Sequence, residues 1–210
     1  YTRFWGANDK QQLIALTDGS RKPLTNIFLS LNAFNGKQRR ASNLSQIRNI
    51  GIDLDCYKLG ITPDAAAEKL KALVFVGRIP NPNLLIRSGN GLQLVYGLAG
   101  GLPPTNEMKF VATYITNELS TILQPLGADF AANTLERVFR LPNTYNVKPD
   151  KPKKLVTAEI WNQQEYTLTQ LMEYCTPLEP RRSPVERSKQ KGEIRYFDLT
   201  KTQGMTLRTL

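Results

Sequence analysis

Apolar and polar positions alternate through residues 26–32 (NIFLSLN), which predicts a strand. Residues 41–48 (ASNLSQIR) read as a short helix, and 49–57 (NIGIDLDCY) as a second strand. Thr62-Pro63-Asp64 is a helix start: a capping hydroxyl, proline at the first helical position and an acid in the first turn. That helix is expected to run to about Val74, with Ala66, Leu70 and Leu73 on one face. Residues 84–98 (LLIRSGNGLQLVYGL) read as a hairpin with Asn90-Gly91 in the turn. Gly100-Gly101 and Pro103-Pro104 then break the chain, and Thr105 caps a long helix to about Leu123. Its apolar stripe is Met108, Val111, Ile115, Leu119 and Ile122. Residues 154–161 (KLVTAEIW) predict a strand and 167–175 (TLTQLMEYC) a short final helix. From Pro177 the chain is rich in proline and charge and poor in apolar residues, the composition of a linker. Strands and helices interleave, so the fold class is α/β or α+β.

The alternation that makes 49–57 a strand also sorts its side chains. Ile50, Ile52 and Leu54 point one way, Asp53 and Asp55 the other. Two positions along a strand span roughly 6.6 Å between Cα atoms. Carboxylates so placed can converge on a hard cation, which removes the repulsion that otherwise raises each other's pKa. The alternative is a solvent-facing strand with two acids. In the hairpin, Ser88-Gly89-Asn90-Gly91 bares backbone N–H groups at a tight turn, either a phosphate cradle or an ordinary hairpin turn. Leu92, Leu94, Tyr96 and Leu98 share one face; Gln93 lies on the other, where a long neutral donor reaches a phosphate or base. A third segment, 129–148, starts with Asp129 just after Gly127 and sets Arg137, Arg140 and Lys148 around Pro142-Asn143. Arginine suits phosphate by its fork and lysine as a point charge, although solvated loop charges give the same pattern.

Composition narrows the chemistry. A length of 210 residues suits one domain or one bilobal unit with a real core. No apolar run approaches the ~18 residues of a membrane span, and no signal peptide opens the chain. It begins at Tyr1 rather than Met, as a piece of a longer protein does. There is no histidine, which excludes Ser-His-Asp hydrolases, Cys-His proteases, HEXXH metalloproteases and histidine-based replication nucleases. Cys56 and Cys175 lack metal-type spacing, so no zinc site is expected, and the default setting is a reduced cytoplasm. The net charge of +10 is uneven. Residues 1–50 hold eight Lys/Arg against two acids, 51–150 nine of each, and 151–210 eleven against seven. A neutral centre between basic flanks fits a site that gathers carboxylates while its surroundings attract an anion, usually nucleic acid. Solubility alone is the blander reading of the same excess.

Three segments, IGIDLDCYK, RSGNGLQLVYGL and RVFRLPNTYNVK with Asp129 before it, resemble in order and spacing the motifs of the archaeo-eukaryotic primase superfamily. The branch is that of the primase-polymerases of plasmids, phages and integrated elements. The resemblance covers roughly residues 20–175, and TNIFLSLNAFNGKQRR is similar to the upstream strand and basic segment of the plasmid and phage type. It implies an α/β (α+β) fold in which an RRM-like antiparallel sheet carries the acids beside an N-terminal α/β module. It further implies a primase or primase-polymerase catalytic core over residues 1–176, performing template-directed nucleotidyl transfer on single-stranded DNA. Residues 177–210 would be a basic linker towards a helical or helicase module. By the same resemblance Asp53, Asp55 and Asp129 bind two divalent ions, Mg²⁺ or Mn²⁺. Ser88, Gly89, Asn90 and Gln93 face the nucleoside triphosphate, with Arg140, Asn146 and Lys148. Lys37, Arg39 and Arg40 track the template backbone.

Two positions depart from that pattern. Many members carry histidine where Gln93 stands; glutamine donates a hydrogen bond but cannot carry a proton's charge. Asn143 stands where glycine is frequent, and asparagine tolerates the left-handed backbone such a turn needs. A Toprim primase also uses a DxD pair but needs a glutamate on an earlier strand, and the earliest here is Glu68, after the pair. The competing class is a non-catalytic replication-origin or single-stranded-DNA-binding module, which keeps the basic surface and needs no metal.

Overall fold

A computed structural model describes residues 26–36, 38–148 and 152–178. Its strands are β1 (Phe28–Ser30), β2 (Ala33–Phe34), β3 (Leu44–Leu54), β4 (Leu84–Arg87), β5 (Leu92–Leu102), β6 (Val138–Arg140), β7 (Tyr145–Asn146), β8 (Lys154–Leu155) and β9 (Thr157–Ile160). Its α-helices are α1 (Pro63–Phe75), α2 (Asn106–Leu123) and α3 (Leu168–Met172). All of them belong to the unit that ends at Tyr174. Of the unit beginning at Cys175, and so of the expected linker 177–210, nothing after Leu178 is among the described residues. Residues 1–25 of the expected N-terminal module also lie outside them.

The main sheet has five antiparallel strands in the order β2-β3-β5-β4-β9. Its long central pair brings Asp53 directly opposite Gln93 and Leu54 opposite Leu92. One face is apolar: Ile50, Ile52, Leu54, Leu92, Leu94 and Tyr96 are all buried. α2 packs on β3, and α1 touches β5. The helices supply the matching stripe, Leu70 from α1 and Met108, Val111, Ile115 and Leu119 from α2, each buried. Burying a Leu or Ile side chain in full stabilises by roughly 1.5–3 kcal/mol, so this layer is the main source of stability. Both helices begin as their sequences dictate. Thr62 Oγ1 accepts from Ala65 N–H and Thr105 Oγ1 from Met108 N–H, each at 3.2 Å, and Thr167 forms a capping box with Gln170.

The other face is covered by a small two-stranded sheet in which β1 pairs with β6. Leu31, Ile86, Val95, Phe139 and Val156 form a second apolar cluster there. Gly51 makes this close approach possible. A Cβ at that position would overlap Leu31 and fall 2.8 Å from Phe139 Cζ.

Three elements differ from their sequence readings. Residues 41–48 are not a short helix: only Ala41–Asn43 form a single 3-10 turn, and β3 starts at Leu44. A register shift where β2 meets β3 lets Leu44 and Ile47, three apart, both be buried, so a bulged strand imitates a helical period. Gly100-Gly101 do not break the hairpin strand. With φ of 68° and 65° they bulge β5, which runs on to Leu102. Residues 154–161 split at buried Val156 into β8, which pairs with β7, and β9, which edges the main sheet. Asn143 does adopt the left-handed conformation, with φ 63°.

Candidate active site

Where β3 ends, two turns press against it. Gly91 sits so close that a Cβ would overlap the Leu54 carbonyl oxygen. On the other side Gly127, with φ 89°, lies flat against Asp55. Asp55 N–H donates to Gly127 O at 2.8 Å and Asp129 N–H to Asp53 O at 2.9 Å, so residues 127–129 continue the ladder beside the acids. These contacts are main-chain contacts, and they fix Asp129 at the same strand end as Asp53 and Asp55.

Asp53 and Asp55 open on a cleft of about 560 Å³. It gathers Asp53, Asp55, Ser88, Asn90, Gln93, Arg140, Asn146 and Lys148, with Arg39 from the basic segment. Gly89, Asp129 and Arg40 do not line it. Arg40 is exposed beside the 3-10 turn at 41–43. Lys37 lies outside the described residues.

The electrostatics centre on Asp53, whose side chain is 14% exposed. Burial pushes its carboxyl above the ordinary range. An ion pair and hydrogen bond from Arg137 Nη2 pull it back, Asp55 pushes it up again, and a bond from Gln93 lowers it. Asp55 pairs with Lys58 Nζ at 2.6 Å. Asp129 Oδ1 caps the short 3-10 turn after it, accepting from Ala131 N–H at 3.2 Å. Asp53, in β3, and Asp55, one residue past its end, line one cleft, and this charge-repelling pair has the donor chemistry for a divalent ion. Among the described residues, however, no three Asp, Glu, Cys or His side chains are grouped to hold a metal.

Gln93 is buried and already engaged. Its Nε2 donates to Asp53 Oδ1 at 3.5 Å, and its Oε1 accepts Arg140 N–H at 3.0 Å. The amide thus ties β3, β5 and β6 together. Ser88 Oγ closes its own turn on Gly91 O at 3.0 Å, and Asn90 Oδ1 accepts from Lys154 Nζ at 2.7 Å. Asn146 Nδ2 donates to Ser88 O at 2.6 Å, while its Oδ1 is buried without a partner. Arg39 Nε is likewise buried and unbonded. Both residues line the polar cleft, and these two atoms are themselves shielded from solvent. Two exposed aromatics stand at the rim under cations: Arg140 lies 4.9 Å from the Phe28 ring centroid, and Lys148 Nζ 5.5 Å from that of Tyr57.

Sequence reasoning missed Phe28 and Tyr57 as cleft residues and Arg137 as the partner of Asp53. The aromatic identities were visible in NIFLSLN and DLDCY. Nothing local in RVFR tells which of its two arginines turns to the acid.

No protein-family model matches the chain. It is 33% identical over 176 residues to a replication protein of Clostridium perfringens, covering 82% of this chain. The chain spans about two fifths of the length of that relative. Its fold matches the AEP domain of the cyanophage S-2L primase-polymerase with a TM-score of 0.53, over 72% of this chain and 70% of the other, at 13% identity. The mixed α/β architecture around a curled antiparallel five-stranded sheet is the one the motifs implied.

Proposed function

From the archaeo-eukaryotic primase fold that this chain shares, and from its kinship with a replication protein, we propose that it is the catalytic core of a primase-polymerase. It joins nucleotides on a single-stranded DNA template: a 3′-hydroxyl oxygen attacks the α-phosphorus of a nucleoside triphosphate and pyrophosphate leaves. The observation that carries this reading is the cleft itself. It draws Asp53 and Asp55 from the end of β3 and the residue just past it, Ser88 and Asn90 from the hairpin turn, and Arg140, Asn146 and Lys148 from a third segment into one volume.

Asp53 and Asp55, with Asp129 at the same strand end, are the residues that would hold Mg²⁺ or Mn²⁺. Bound there, such an ion would lower the pKa of the attacking hydroxyl and offset the charge of the departing pyrophosphate. The protein's own part is positioning. Arg140 and Lys148 bring positive charge to the triphosphate, with Asn146 and Arg39 lining the cleft beside them. Gln93 acts through the two groups it bridges, so its removal disturbs Asp53 and β6 together. Arg39 in the cleft wall and Arg40 outside it leave the template approaching along the 38–40 segment.

A DNA-binding module without chemistry is the second reading, favoured by Asp129 spending its carboxylate on a turn. One experiment separates them: labelled nucleotides on a single-stranded template, with and without primer, using wild type, Asp53→Ala and Asp55→Ala. Incorporation that both substitutions abolish, with template binding retained, is expected. Incorporation above a few per cent of wild type in both variants, or none in wild type, removes the catalytic reading.

A further inference from the structure

Asp53 has a cation already. Arg137 Nη2 is bonded to its Oδ2, while Gln93 Nε2 points at its Oδ1. Arg137 is 84 residues away in sequence and reaches the acid from the stretch just before β6. Its own side chain is only 25% exposed, and it lines the same cleft as Asp55. Asp55 by contrast is held by a lysine three residues on, whose side chain is 58% exposed. The two acids of the pair are therefore neutralised differently, one by an exposed surface lysine and one by an arginine in the cleft wall.

We propose that Arg137 is the resident counter-cation of Asp53, occupying the carboxylate until a divalent ion takes it and leaving it when the ion arrives. This rests on the assignment of Asp53 as a metal-holding residue. The physical case is the partly buried carboxylate. A charge removed from water needs a partner at all times, and an unpaired interval is the expensive state. Arginine fills that need because it stays charged and its fork matches a carboxylate. An ion that coordinates Oδ2, the oxygen Arg137 holds, displaces the Arg137 bond. The freed guanidinium stays in the cleft, where it is a positioning residue for an anionic substrate. If Arg137 only shaped the site, removing it would weaken metal binding. As a competitor, its removal strengthens binding, and the sign of the effect decides.

The test uses the 210-residue chain and Mn²⁺ alone, without nucleotide, with affinity read by titration calorimetry or by the loss of the free-ion electron paramagnetic resonance signal. Arg137→Gln should bind Mn²⁺ roughly ten- to a hundredfold more tightly than wild type, the range set by one hydrogen bond to a charged group. Arg137→Lys, which keeps a charge but loses the fork, should fall between. A second measurement needs no substitution: the ¹⁵Nε resonance of Arg137 in wild type should move on adding Mg²⁺. Equal or weaker Mn²⁺ binding by Arg137→Gln, or an Arg137 resonance that stays in place while Mg²⁺ binds, overturns the proposal and leaves the metal assignment standing. Mn²⁺ binding that survives intact in Asp53→Asn, or that wild type lacks, overturns both.

Discussion

Two arginines in this molecule each hold a carboxylate, and the two carboxylates respond in opposite directions. In the cleft, Arg137 pairs with Asp53, and the acid still titrates above its ordinary value because burial outweighs the arginine. At the edge of the main sheet, Arg87 Nε bonds Glu159 Oε1 at 2.8 Å, and the glutamate titrates below its ordinary value because the hydrogen bonds from Arg87 and then Trp161 outweigh a small burial penalty. Arg87 also reaches Asp64 on α1 at 2.6 Å, so one guanidinium spans helix and sheet. The chemistry of the two pairs is the same; their exposure differs, with side chains 14% exposed for Asp53 and 41% for Glu159. The edge pair is a fastening. In the cleft pair, burial leaves the carboxylate harder to ionise than a free aspartate despite its arginine.

The largest effect that sharpens this contrast is on stability without metal. Arg137→Ala should destabilise the protein by about 2–4 kcal/mol, a little under the figure for a fully buried pair that loses one partner. Arg87→Ala should cost about 1 kcal/mol or less, as exposed pairs do. Urea unfolding at pH 7 in chelator measures both. Equal losses for the two variants would show that exposure does not separate the pairs.

How far this was readable beforehand depends on how local the cause is. Helix starts at Thr62 and Thr105 were legible because the capping hydroxyl and the first-turn acid, with proline as well after Thr62, act within four residues. The facing of Ile52 and Asp53 was legible because a strand alternates. Gln93 was placed on the correct strand face, but its partners were not visible. The Asp53 carboxylate is 40 residues away and the Arg140 amide 47; the β3–β5 register brings the first to Gln93, and the separate β1–β6 sheet brings the second. Arg137 was further still. The bulges at β2–β3 and at Gly100-Gly101 were hidden for a related reason, since a bulge exists only relative to a partner strand.

A middle-sized effect concerns acid pH. A folded Asp53 with a raised pKa binds more protons than the unfolded chain, whose aspartates titrate near about 3.9. Stability without metal therefore falls as pH rises from about 4 through the raised value. Asp53→Asn should remove that decline. Unfolding free energies of wild type and Asp53→Asn across the acid range check this, and parallel curves would mean that burial does not control the carboxyl.

The smallest effect belongs to the edge pair and has the opposite sign. Glu159 is depressed in the folded state, so below about 4.3, where unfolded glutamates titrate, the unfolded chain binds the extra proton first. The pair's contribution is complete above that pH and is lost as pH falls through the lower folded value. Glu159→Gln should therefore cost less than about 1 kcal/mol at pH 7, since the side chain is 41% exposed and solvent screens the pair. The variant should converge on wild type at strongly acid pH, where both are neutral at position 159. Salt provides the second reading. An exposed pair weakens as the Debye length contracts from ~10 Å at 0.1 M to about 3 Å at 1 M, whereas a partly buried one responds less. The stability difference between Glu159→Gln and wild type should shrink in 1 M salt while that for Arg137→Ala holds. If both differences shrink alike, Asp53 is solvated like a surface acid, and the contrast between the two pairs disappears.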